Sequence, residues 1–110
     1  MKIEAITRYV RISPRKVWEV TREIQGLPAT RALEVMQFIP RKAARLVSRT
    51  LKSAIANAEN NANLSREKLT VKEAVVGTGP TLKRNTTRAR GSGSLILKRT
   101  SHIKIVLSDE

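Results

Sequence analysis

Cysteine is absent from the sequence, which excludes disulfides and thiolate zinc sites and fits a reducing compartment. Aromatic residues are scarce: Tyr9, Trp18 and Phe38 are too few to form a stacking platform for reading unpaired bases, and a lone Trp18 is expected in core or edge packing. The single histidine, His102, has no cysteine or carboxylate cluster near it in sequence, so no metal site, cofactor or catalytic residue is assigned. Gly77-Thr78-Gly79 lacks the helix start and the following Lys-Ser/Thr that a phosphate-cradling loop requires. No apolar run reaches the ~18 residues of a membrane span, and no segment sets an aromatic apolar face against a basic one. Residues 1–10, with Lys2, Glu4 and Arg8, are too polar for the core of a secretory signal, so a cytoplasmic chain without membrane partners is expected.

Acidic residues are also few. Nine Asp and Glu stand against 22 Lys and Arg, a formal net charge of +13 in 110 residues. Such a surplus repels itself in a compact fold unless a polyanion neutralises it, and nucleic acid is the commonest such partner because each phosphate neutralised releases counterions. The length suits a single domain with one modest core.

Residues 1–12 are rich in β-branched side chains and read as a strand. Ser13-Pro14 reads as a helix start, with the serine hydroxyl as cap and proline at the first helical position; Val17, Val20 and Ile24 form its apolar face, and Gly26 stops it. A short second helix opens at Pro28 and ends before Pro40. The third and longest is expected over about residues 41–60, with Ala44, Val47, Leu51, Ala54, Ile55 and Ala58 inward. Its opposite face carries Arg41, Arg45, Arg49 and Lys52 within about 80°, with no carboxylate before Glu59.

From Lys68 the period changes to two, with Leu69, Val71 and Val75 on one side and Thr70, Lys72 and Val76 on the other; the same period returns after Ser101, so two antiparallel strands are expected. The intervening residues 77–100 are too many for a hairpin loop and too poor in core formers for a folded insert. A two-stranded arm reaching roughly 30 Å beyond the body resolves this. The expected fold is therefore α+β: a small antiparallel sheet packed on three helices, with a long protruding β-hairpin arm. Residues 1–76 and 101–110 form the body of one domain, and residues 77–100 the arm. Between Ala74 and Ser108 no acid occurs, while Lys83, Arg84, Arg88, Arg90, Lys98, Arg99 and Lys104 do. The arm is expected to bind an anion and to order fully on it. Gly79-Pro80 at its base supplies a bend or a close backbone approach. An architectural DNA-binding protein would need an apolar wedge at the tip, which reads Arg84-Asn85-Thr86-Thr87-Arg88, with Phe38 assigned to the body; an RNA-directed enzyme would need an acid–base pair among the cations.

Several blocks, in order, carry a family resemblance: Arg11-Ile12-Ser13-Pro14-Arg15-Lys16-Val17, Lys42-Ala43-Ala44-Arg45-Leu46, Leu51-Lys52-Ser53-Ala54-Ile55-Ala56-Asn57-Ala58-Glu59-Asn60-Asn61, Gly79-Pro80-Thr81-Leu82-Lys83-Arg84, Arg88-Ala89-Arg90-Gly91 and Lys98-Arg99-Thr100-Ser101-His102-Ile103. Over nearly its whole length the chain resembles bacterial large-subunit ribosomal protein twenty-two. It departs from that family's usual residues at Trp18, Gly77, Thr78, Thr87 and Ser92 to Ser94. The resemblance implies a structural protein of the large ribosomal subunit that binds 23S rRNA, supports assembly and lines the peptide exit tunnel. Its implied partners are 23S rRNA, other large-subunit proteins and, near the arm tip, nascent polypeptide and macrolides. The expected rRNA contacts are Arg8, Arg11, Arg15, Lys16, Arg41, Arg45, Arg49, Lys52, Lys83, Arg84, Arg88, Arg90, Lys98 and Arg99. Leu82, Lys83, Arg84, Arg88, Ala89 and Arg90 are the expected tunnel-lining residues.

Overall fold

Strand-forming residues at the two ends of the chain come together as one sheet. A computed structural model describes residues 2–87, 91 and 93–109; the expectations for Arg88, Ala89 and Arg90 lie outside the described residues. Strand β1 (Lys2–Val10) and strand β2 (Thr70–Thr78) flank β5 (Ser101–Ser108), all antiparallel. β3 (Leu82–Thr87) and β4 (Gly93–Lys98) form a separate two-stranded ribbon. The molecule is 61 Å long and at most 26 Å across, and its radius of gyration of 16.9 Å exceeds the ~13 Å of a compact domain this size.

One face of the sheet is covered. Helix α3 (Lys42–Asn61) lies over β1 and β5, α1 (Pro14–Ile24) lies over β2, and α2 (Ala29–Gln37) packs on α3. The six inward positions expected of α3 are all buried, together with Ala43 and Thr50. Alanine at three of those six lets the helix axis approach the sheet closely, where Ile103, Ile105 and Leu107 of β5 complete the core. Thr50 Oγ1 lies 2.7 Å from Thr7 Oγ1 of β1 and also bonds the Leu46 carbonyl, which sets the helix's rotation on the sheet.

Three irregularities give the sheet its shape. Opposite β5, β2 carries one extra residue at Lys72, between the pairs Val71–Leu107 and Glu73–Val106. That shift reverses the alternation beyond it: Ala74 joins Val71 in the core, whereas Val75 turns outward and is 45% exposed, contrary to the strict period-two expectation. In β1, Arg8 and Tyr9 together oppose His102. Tyr9 there takes a left-handed backbone (φ 57°), which costs about 1 kcal/mol in a non-glycine residue. Its amide donates to His102 Nδ1 at 3.1 Å, and the two rings meet edge to face at 5.0 Å. The ring proton of His102 therefore sits on Nε2.

The third irregularity is the root of the arm. Thr78 pairs with Ser101 and Leu82 with Lys98, so Gly79, Pro80 and Thr81 oppose only Arg99 and Thr100. Such a bulge bends the strand and raises its twist, which lets the ribbon leave the plane of the sheet. The Gly79 amide bonds the Thr100 carbonyl at 3.1 Å, buried Thr100 donates its hydroxyl to the Pro80 carbonyl at 2.6 Å, and Ser101 donates to the Ile12 carbonyl at 2.6 Å. A Cβ on Gly79 would lie 2.4 Å from Thr100 Oγ1, so the expected close approach is real and involves the other strand.

Three local expectations are corrected. The Ser13 hydroxyl makes no cap bond. Trp18 is 52% exposed, with the Arg22 guanidinium 4.8 Å above its ring, because helical spacing turns it away from Val17 and Val20. Phe38, assigned to the body, follows the last turn of α2 and is 84% exposed.

Gly79→Ala is expected to lower stability by about 1–3 kcal/mol, because Thr100 must give up its bond to Pro80 to make room. Adding Thr100→Ala should restore part of the loss; strictly additive losses in urea unfolding would contradict the contact.

Candidate nucleic-acid interface

The bulge at the arm root has an electrostatic consequence. Lys98 and Arg99 are consecutive, and in a regular strand they would point to opposite faces. At the bulge both line one concave site, with Arg11, Ser13 and Lys42 as its other walls. Arg11 comes from the turn between β1 and α1, and Lys42 from the first turn of α3, with its Nζ 3.4 Å from the Arg11 carbonyl. Four cations from three distant segments thus converge without a carboxylate among the described lining residues.

Two helix starts reinforce this charge. α1 begins at Pro14 and α3 at Lys42; neither has a side-chain cap bond or an acid in its first turn. Their free N–H groups carry the positive ends of the helix dipoles, and anions are favoured there. An adjoining concavity between them is lined by Arg11, Ser13, Lys16, Arg41 and Lys42, with Glu19 as the only acid among the described lining residues.

From this root the cationic surface continues along α3. Lys42, Arg45, Arg49 and Lys52 are exposed and fall within about 80° of one another on the helix. Arg41 is not part of this row, because it is the N-cap residue and its guanidinium is paired with Glu19. Lys42 takes its place, a residue the sequence reading passed over. No signal in the sequence marks it, because its contact with Arg11 joins segments 31 residues apart.

Carboxylates are engaged elsewhere: Glu34 with Arg31, Glu59 with Arg66 and Glu4 with Lys104. Among the described residues, Arg8, Arg11, Arg15, Lys16, Lys42, Arg45, Arg49, Lys52, Lys98 and Arg99 have no carboxylate within ion-pair distance. Lys83 and Arg84 lie in β3 opposite Leu97 and Ile96, and Leu82 opposite Lys98, which places all three on the ribbon beyond the root. The arrangement brings together the expected contacts Arg11, Lys98 and Arg99, adds Lys42, and leaves Lys83 and Arg84 at a distance from that cluster along the arm. Among the described residues no group of His, Cys, Asp or Glu could hold a metal ion, and no helix is long and apolar enough to cross a membrane.

Residues 5–108 match the family described as Ribosomal protein L22p/L17e. Relatives named "Large ribosomal subunit protein uL22" include one from Akkermansia muciniphila, 49% identical over 110 residues that cover 100% of this chain and 98% of the relative. One from Opitutus terrae is 52% identical, covering 99% and 96% respectively, and one from Chloroflexus aggregans is 50% identical, covering 100% and 97%.

Replacing Lys42 and Arg99 together by alanine should reduce the slope of log affinity against log salt for a structured RNA by about 1.5–2, the loss of two phosphate contacts. Replacing Arg31 and Arg66, each already paired with a carboxylate, should leave the slope unchanged. Equal slopes for the two double variants would return the cluster to ordinary solvated surface.

Proposed function

The chain belongs to the ribosomal protein L22p/L17e family, and from that premise we propose that it is a structural component of the large ribosomal subunit that binds 23S rRNA through its arm root and α3. Proteins of this family are structural rather than catalytic. The observation that carries the RNA-binding reading is the convergence of Arg11, Lys42, Lys98 and Arg99 on one concavity, with no acid among its described lining residues, beside two helix starts without side-chain caps.

Mechanistically, recognition is by phosphate position and groove shape. Exposed arginines and lysines on a rigid helix meet successive phosphates at fixed spacing, and the root cluster takes a phosphate where the arm departs. Arg8, Arg15 and Lys16 extend the contact around the start of α1. The arm, acid-free along its length, lies between RNA segments whose mutual repulsion it lowers, and so supports assembly. Its outer part, with Leu82, Lys83, Arg84, Arg88, Ala89 and Arg90, lines the peptide exit tunnel, where nascent polypeptide and macrolides pass. Other large-subunit proteins complete the surroundings of the body.

Two experiments test this division of labour. The protein should sediment with large subunits through a high-salt wash, and charge reversal of Arg45 and Arg49 should reduce its retention about tenfold or more; retention equal to the unaltered protein would remove α3 from the interface. Lys83→Ala with Arg84→Ala should change macrolide sensitivity while leaving incorporation near normal. Lost incorporation with unchanged drug response would reverse the roles of body and arm.

A further inference from the structure

The helices cover one face of the sheet and leave the other open. The register places Glu4, Val106 and Glu73 side by side across the three strands, and Ile6, Lys104 and Val75 in the next row. Ile6 is 43% and Val75 45% exposed, and Tyr9 near the same face is 64% exposed; these are three of the five exposed large hydrophobic residues among the described residues. Val106 is buried but stands apart from the main core. Glu4 reaches Lys104 at 3.5 Å, whereas Glu73 has no partner among the described residues.

Charge distinguishes the two central rows of this face from the rest of the surface, with Lys2 and Arg8 at the two ends of β1 as its cationic margins. Its two central rows hold two carboxylates and one ammonium, in a chain where cations outnumber acids 22 to nine. Phosphates are repelled by Glu4 and Glu73 and gain nothing from Ile6 and Val75, so RNA does not suit these central rows, whatever it contacts at the Arg8 margin. A polypeptide that carries both apolar and cationic side chains suits it on both counts, and chains held by RNA are cationic for the same reason as this one. Resting on the proposed place in the large subunit, we propose that this open sheet face docks an extended basic and apolar segment of a neighbouring protein of the particle. Ile6, Val75 and Val106 supply the apolar contact, and Glu4 and Glu73 receive its Lys or Arg.

A benzophenone amino acid placed at Val75 of the full chain, irradiated in purified large subunits, tests this. The expected product is a cross-link to a polypeptide segment rich in Lys and Arg, while the same probe at Lys52 cross-links RNA. Adding Glu4→Lys and Glu73→Lys, both exposed positions, should cut the Val75 product about fivefold without releasing the chain from the subunit. A Val75 cross-link to RNA, to an acidic or uncharged segment, or to nothing overturns the inference alone. Absence of the chain from large subunits overturns the proposed function and this inference with it.

Discussion

Unrelieved repulsion among cations is the constraint on which the surface of this protein depends. At the ~10 Å Debye length of 0.1 M salt, exposed charges a few ångströms apart still act on one another. The four described ion pairs neutralise Arg31, Arg41, Arg66 and Lys104, and leave the arm root and the α3 row without carboxylates. A polyanion that enters there relieves the repulsion and releases its own counterions, so the two effects favour binding together.

The fold makes that surface by irregularity as much as by regular structure. Had β2 and β3 run on as one strand against β4 and β5, Lys98 and Arg99 would have been divided between two faces. The extra residue at Gly79–Pro80–Thr81, held by the Thr100 hydroxyl, brings both into contact with the site that Arg11 and Lys42 line. Gly79 is required there because any side chain would meet Thr100. One hydrogen bond and one missing Cβ therefore shape the strand crossing beside the basic concavity.

Much of this was legible from the residues. The inward positions of α3, the proline-started α1, the antiparallel pairing of β2 with β5 and the two-stranded arm all follow from periodicity and punctuation. Bulges were not legible, because an extra residue leaves composition and local propensity unchanged; for that reason Val75 was assigned the face of Val71. Pairings between distant segments were equally hidden. Nothing in the sequence says that Glu19 reaches Arg41 or that Lys42 stands beside Arg11, so Arg41 was counted in a stripe to which Lys42 belongs. Phe38 and Trp18 show the limit of hydrophobicity as a guide, since exposure depends on where a helix ends and which way it turns.

If the basic surfaces are functional rather than incidental, the free protein is stabilised by anything that screens them. The most direct measurement is the melting temperature of the isolated chain as sodium chloride rises from about 20 to 300 mM, a range over which the Debye length falls severalfold. The account predicts a rise of several degrees across that range, and a smaller rise for a variant in which Arg45 and Arg49 are replaced by glutamine. A melting temperature that stays flat or falls with salt would show that the cations are already compensated within the chain, and would contradict the central claim.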